Sequence, residues 1–272
     1  MILARGLGTR MRTVDSAAVL SDAQRRAADS GLKAMMPIHG RPFLDYVLSA
    51  IADAGIEHVA LVVAPDHDTL KRYYDRTTSA ARVRVSFVVQ PEAIGTADAV
   101  RAAEAWTAGE PFLAMNADNL YPVAALTDLV ALDEPGLPGF SADDLVSTSN
   151  IPAERLASFA FVETDEGGYV KSIIEKPGAP SLPSSPSIPS SPPLPSLISM
   201  NVWRFDSCIF DACASVARSA RGEFELPEAV ALAVSRGVRF RVVPARGPVL
   251  DLSRRADAAD VERRLEGVTP RT

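Results

Sequence analysis

Ile2-Leu3-Ala4-Arg5-Gly6-Leu7-Gly8-Thr9-Arg10-Met11-Arg12 is a short apolar run that passes straight into a glycine-rich turn. The run reads as a strand, either clipped or beginning at the terminus, and the turn reads as a phosphate cradle. Glycines there let successive backbone N–H groups converge on anionic oxygens. A dinucleotide fingerprint is excluded. The pattern Gly-x-Gly-x-x-Gly would need glycine where Met11 stands, and no acidic ribose partner lies at the expected distance on a second strand. The remaining Gly-x-Gly-Thr-Arg turn suits a polyphosphate, with Arg10 and Arg12 adding charge at the same place. Taken alone, it also fits a tight turn with solvent-facing arginines.

Further apolar runs follow at residues 58–64 (HVALVVA), 83–89 (VRVSFVV) and 111–115 (PFLAM), with amphipathic stretches at 42–54, 66–74 and 96–106. This alternation predicts a doubly wound, mostly parallel α/β sheet with ligands at the carboxyl ends of its strands. Residues 158–162 and 169–175 flank Asp165-Glu166-Gly167-Gly168 and predict a hairpin, an antiparallel extension that makes the sheet mixed. Strands are expected at 198–205 and 238–243, helices at 225–236 and 256–265, and an alanine-rich helical flap at 16–28. Residues 179–196 read APSLPSSPSIPSSPPLPS; seven Pro and seven Ser in eighteen positions predict a disordered, solvated loop within a single domain spanning 1–272.

The 272 residues are 47% hydrophobic and 23% charged, enough to bury a core. Twenty-eight Lys and Arg against thirty-four Asp and Glu leave a net charge of −6, which argues against nucleic-acid or anionic-membrane partners. Cys208 and Cys213 form no CxxC pair and have no nearby His, so neither a disulfide nor a zinc site is indicated and a reducing cytoplasm is expected. No apolar run reaches the roughly 18 to 20 residues of a membrane span, so the protein reads as soluble. A homo-oligomer is compatible with the sequence. His39, His58 and His67 lack metal-ligand spacing and read as structural. Met35, Met36, Trp106 and Trp203 read as core, with sugar stacking a second reading for Trp203.

Beyond the turn stand Lys33-Ala34-Met35-Met36-Pro37-Ile38-His39-Gly40-Arg41-Pro42, Gln90 with Gly95-Thr96-Ala97, and Asn116-Ala117-Asp118-Asn119. Glu175-Lys176-Pro177, Gly222-Glu223-Phe224-Glu225-Leu226-Pro227 and Asp251 follow in order. Together with the turn they resemble the sugar-phosphate nucleotidyltransferases, and the likeness covers nearly the whole chain. The resemblance implies a Rossmann-like nucleotidyltransferase fold. It implies an enzyme that joins a nucleoside triphosphate to a sugar 1-phosphate, releasing pyrophosphate, with Mg²⁺ as cofactor. Arg10, Lys33 and Asp118 would be catalytic, and Asp118 and Asp251 would hold the metal. Leu3, Ala4, Gly6, Gly8, Thr9, Gln90, Gly95 and Thr96 would bind the nucleotide; Asn119, Ala160, Glu175, Lys176 and Asn201 would bind the acceptor.

The chemistry of these residue types agrees with those roles. Mg²⁺ at phosphate-transfer sites takes one or two carboxylates plus substrate oxygens, and Asp118 and Asp251 both follow apolar strands. Arg10 can grip two oxygens of the leaving pyrophosphate, while Lys33 supplies a movable point charge to the α-phosphate. The amide of Gln90 suits uracil, thymine or guanine. Asp118 as a turn residue, Asp251 as a helix cap and Glu175-Lys176 as a surface ion pair are the alternatives. Departures from the family pattern are Arg5 before the first loop glycine, the twenty-two residues between Arg10 and Lys33, Phe159-Ala160 for an aromatic followed by glycine, and Asn201 where glycine is common. They bear on the acceptor more than on the reaction. Rival functions are cytidylyl transfer to an alcohol phosphate such as phosphocholine, and a non-catalytic nucleotide-sugar-binding regulator.

Overall fold

The computed structural model describes residues 1–16, 18–77, 82–174 and 197–272. The Pro/Ser-rich loop expected at 179–196, with Glu175 and Lys176 before it, lies outside the described residues.

After β1 (Ile2–Leu3) and the glycine turn come α1 (Thr9–Arg12), α2 (Asp22–Ser30), a ribbon of β2 (Pro37–Ile38) with β3 (Arg41–Pro42), and α3 (Phe43–Asp53). The expected alternation then runs through β4 (His58–Val63), α4 (Asp68–Thr77), β5 (Arg84–Val89), α5 (Thr96–Ala102), α6 (Glu104–Thr107) and β6 (Phe112–Asn116). Strand β1 pairs parallel with both β4 and β6, and β4 pairs parallel with β5. The next elements are β7 (Asn119–Leu120), α7 (Val123–Val130), β8 (Gly136–Phe140), α8 (Ala142–Thr148), β9 (Ala160–Thr164) and β10 (Val170–Ile174). The chain ends with β11 (Leu197–Ser199), β12 (Val202–Phe205), α9 (Cys208–Ser215), α10 (Leu226–Ser235), β13 (Arg241–Ala245), β14 (Leu250–Asp251) and α11 (Asp257–Arg264). Ten strands form one mixed sheet in the order β10-β9-β11-β8-β12-β6-β1-β4-β5, with β13 parallel to β8. A separate two-stranded ribbon joins β7 to β14, pairing Asn119 with Asp251.

The sheet is covered on both faces, which is why β4 from Val59 to Val63 is apolar throughout rather than alternating with polar residues. Along β4, Val59, Leu61 and Val63 enter one core cluster with Phe43, Leu44, Leu126 and Val261. Ala60 and Val62 enter the other with Val100, Trp203, Phe205 and Val230. Among the described residues no helix is long and apolar enough to cross a membrane.

Several expected elements are corrected. The strand expected at 198–205 is two strands, because Asn201 takes a left-handed φ of 58° between them. The helix expected at 96–106 breaks at Ala103. The strand expected at 238–243 starts three residues later, at Arg241, because Val238 donates back to the Ala233 carbonyl at the end of α10. The flap helix is Asp22–Ser30, started by a capping box in which Ser21 and Gln24 exchange bonds and closed at Gly31. Strand β8, Gly-Leu-Pro-Gly-Phe, has no strand propensity in its sequence. It is central because its neighbours leave no room for larger residues: a Cβ on Gly136 would stand 2.7 Å from the Arg241 carbonyl oxygen.

Gly95 opens α5 at φ 128°, and a Cβ there would lie 2.2 Å from the carbonyl oxygen of Phe224. Phe224 donates to the Ile94 carbonyl at 2.7 Å and accepts from Ala97 N–H at 2.9 Å, so two distant motifs are joined backbone to backbone. Gly95→Ala is expected to lower stability by about 2 kcal/mol or more, seen as a fall in Tm. An unchanged Tm would contradict this close approach.

Candidate active site

A cleft of about 380 Å³ opens at the carboxyl ends of β1, β5 and β6, the position expected for an open α/β sheet. Leu3, Ala4, Gly6, Gly8, Thr9, Arg10, Lys33, Gln90, Gly95, Thr96, Asp118, Asn119, Asn201 and Asp251 all line it. Glu175 and Lys176 lie outside the described residues. Ala160 does not line the cleft; it is fully buried in β9, behind Ser158 and Phe159, which do.

At the amino end of the cleft, Gly8 is left-handed at φ 61°, and a Cβ on it would meet the Gly31 carbonyl oxygen at 2.3 Å. The turn is therefore pressed against the end of α2. Arg10 is exposed and has no ion-pair partner among the described residues, so its guanidinium is available. Arg12 is not: it donates to the Ser30 carbonyl at 2.7 Å and anchors α2 instead of adding charge to the turn. Arg5, a long side chain in a tight place, turns away from the phosphate cradle and donates to the carbonyls of Gln90 at 3.2 Å and Pro91 at 3.1 Å.

The acids meet at the other end. Asp118 follows β6, and its carbonyl accepts from Leu252 N–H at 2.8 Å, while the β7–β14 ribbon sets Asn119 opposite Asp251. Lys33 Nζ stands 2.8 Å from Asp118 Oδ2, with both side chains about one-fifth exposed. Burial opposes the Lys33 charge, but Asp118, by proximity and hydrogen bond, and then Asp251 outweigh it and raise the ammonium above its ordinary pKa. Asp251 is buried; its Oδ1 accepts from Asn119 Nδ2 at 3.0 Å and Ser253 Oγ at 2.9 Å, and its Oδ2 from Arg155. Burial and the negative charge of Asp118 push the Asp251 carboxyl up to about 6, against the pull of Arg155 and Ser253. It caps no helix: the N-cap of α11 is Ala256, with no side-chain cap, and Asp257 in the first turn accepts at its Oδ2 from Ser253 N–H and Arg254 N–H at 2.9 and 2.7 Å.

Among the described residues no group of three or more His, Cys, Asp and Glu could hold a metal. A cation between Asp118 and Asp251 would thus complete its shell with phosphate and water oxygens, as Mg²⁺ does. Two electrostatically coupled carboxylates, one with a raised pKa, fit a hard divalent ion.

Gln90 Nε2 donates to the Gly95 carbonyl at 3.0 Å and to Asp98 Oδ2 at 2.8 Å, which commits its donor group internally. Thr96 Oγ1 accepts from Leu226 N–H at 2.9 Å and so fixes α10 against α5. The backbone of Asn201 is held by Tyr121 Oη, which donates to its carbonyl at 3.3 Å. Trp203 is fully buried and stacks on Phe205, which excludes contact with a sugar.

Two cations escaped the sequence reading. Arg221 precedes the Gly222-Glu223 motif, lines the cleft and pairs with Glu225 and Glu223. Arg155 is buried and was not discoverable from spacing, because its partners are about a hundred residues away. Among the histidines, His39 Nε2 lies 2.8 Å from the Glu262 carbonyl and His67 Nδ1 accepts from Ala64 N–H at 3.4 Å, whereas His58 is exposed rather than a core residue.

A nucleotidyl transferase family model matches residues 1–248. The UTP–glucose-1-phosphate uridylyltransferase of Haloferax volcanii is 26% identical over 99% of this chain and 97% of its own length. A glucose-1-phosphate thymidylyltransferase of Streptomyces griseus is 27% identical over 100% of this chain and 67% of its own length. A crystal structure of UDP-glucose pyrophosphorylase complexed with UDP-glucose superposes with a TM-score of 0.71, covering 98% of both chains at 16% identity.

Burial pushes the thiols of Cys208 and Cys213 up to about 12, so at pH 8 only about one in ten thousand is thiolate. The folded protein is expected to resist alkylation by iodoacetamide at that pH. Labelling of both thiols as fast as in denaturant, followed by mass spectrometry, would contradict it.

Proposed function

The chain belongs to the nucleotidyl transferase family, and from that premise we propose that it joins a nucleoside triphosphate to a hexose 1-phosphate, making a nucleotide-activated sugar and pyrophosphate. The observation that carries this reading is the meeting of Lys33, Asp118 and Asp251 at one end of a cleft whose other end is a glycine turn bearing the exposed Arg10. We place the reaction in the cytoplasm.

A phosphate oxygen of the acceptor attacks the α-phosphorus in line; the new P–O bond forms as the bond to the bridging oxygen of pyrophosphate breaks, and no protein nucleophile takes part. Asp118 and Asp251 would hold Mg²⁺, which when bound screens and orients the α-phosphate oxygens. The N–H groups of the turn and the guanidinium of Arg10 bind the departing pyrophosphate. Lys33 exchanges Asp118 for the α-phosphate, where its charge counts most as negative charge spreads over the nonbridging oxygens. With its Nε2 committed, Gln90 offers the acceptor Oε1 to a donor on the base, such as the ring N–H of uracil, thymine or guanine. Asn119, Asn201 and Glu223 line the acceptor end and supply hydrogen bonds to sugar hydroxyls.

The test is pyrophosphate release across a panel of nucleoside triphosphates crossed with hexose 1-phosphates and phosphocholine, with and without Mg²⁺. Turnover with UTP, dTTP or GTP and a hexose 1-phosphate, lost in EDTA, is expected; turnover only with CTP and phosphocholine would overturn the reading. Asp118→Asn is expected to lower kcat by at least about a thousandfold while the circular dichroism spectrum stays native. Lys33→Ala is expected to lower kcat more than it raises the nucleotide KM; the opposite ratio would mean that Lys33 serves ground-state binding.

A further inference from the structure

Arg155 lies in the 3-10 turn Ala153–Ser158, is only 8% exposed, and faces no ligand surface of its own. One arm of its guanidinium grips Asp251 Oδ2, and the other donates to Asp257 Oδ1 at 2.8 Å. Asp257 is in turn fixed by the N–H groups of Ser253 and Arg254, at the start of α11. The amide of Asn150 closes the backbone around Asp251, accepting from its N–H and donating to its carbonyl, both at 2.8 Å.

We propose that Arg155 is a positioning residue for the metal: it locks the Asp251 carboxylate in the orientation that receives a divalent cation beside Asp118. This rests on the reading of Asp251 as a metal ligand. The forked guanidinium matters because its two N–H arms, fixed in one plane, reach Asp251 and Asp257 at once and set the direction of each contact, which a freely rotating ammonium does not. Together with Asn119 and Ser253, it leaves the Asp251 side chain no free rotation. The turn that carries Arg155 continues into Ser158 and Phe159 on the cleft wall, so the same contact sets the metal acid relative to the acceptor end.

Charge and geometry make opposite forecasts here. Removing a cation beside a metal site would by charge alone tighten cation binding. Removing the partner that orients a metal ligand weakens it, commonly by ten to a hundredfold. The experiment is Mn²⁺ titration of the whole protein without nucleotide, followed by electron paramagnetic resonance. Arg155→Gln is expected to raise the Mn²⁺ Kd by about tenfold or more. Arg155→Lys, which keeps the charge and loses the fork, is expected to raise it as well. An unchanged or lower Kd in folded Arg155→Gln overturns the proposal, and if that variant fails to fold, an unchanged Kd in Arg155→Lys does so. Asp251→Asn separates the two readings. If it binds Mn²⁺ like the wild type, the metal assignment itself fails; if it loses binding while the Arg155 variants keep theirs, only the role of Arg155 falls.

Discussion

Two carboxylates held close together in a half-buried site repel each other, and the protein contains that repulsion with two cations drawn from elsewhere in the chain. Lys33 faces Asp118, and Arg155 faces Asp251. Each pair ties together stretches far apart in sequence: the segment after the flap helix, the end of β6, the turn after α8 and the last short strand. Breaking one member of a buried pair leaves an uncompensated charge at about 3–5 kcal/mol, so the arrangement constrains the fold as well as the chemistry.

The two pairs differ in what they leave available. Asp251 is enclosed by Arg155, Asn119 and Ser253, whereas Lys33 and Asp118 stand at the cleft wall with about a fifth of each side chain exposed. The enclosed acid is rigid, and the exposed pair can exchange partners. Arg10 has no ion-pair partner among the described residues, whereas Arg12 beside it holds α2 through the Ser30 carbonyl. Arg255 reinforces that hold, donating to the carbonyl of Met11 at 2.9 Å and pairing with Asp29 at 2.5 Å. The long stretch between Arg10 and Lys33 is thus fastened to the back of the phosphate turn.

The first half of the fold was legible because β4 and β6 are buried on both faces and so read as apolar runs, while the edge strand β5 keeps enough Val and Phe to match them. The second half hides its central strand. Gly136-Leu137-Pro138-Gly139-Phe140 is set by the neighbours that crowd it, and propensity cannot report a neighbour. The break at Asn201 was invisible for a related reason, since the left-handed backbone is imposed by the step from β11 to β12. For the site, the order of short motifs brought Gly6, Arg10, Lys33, Gln90, Asp118 and Asp251 to one cleft. Arg155 stayed hidden because nothing near it in sequence marks it as charged and buried, and Ala160 was placed one residue too deep.

The ribbon that carries Asp251 has a consequence for biosynthesis. Asn119 and Asp251 are 132 residues apart in the chain, yet bonded to each other at 3.0 Å. At about 5–20 residues per second, a ribosome needs roughly 7 to 26 s to travel from one to the other. During that interval the emerging polypeptide already has its glycine turn, Lys33 and Asp118, but lacks Asp251. A nascent chain therefore cannot join Asn119 to Asp251 before residue 251 has left the exit tunnel.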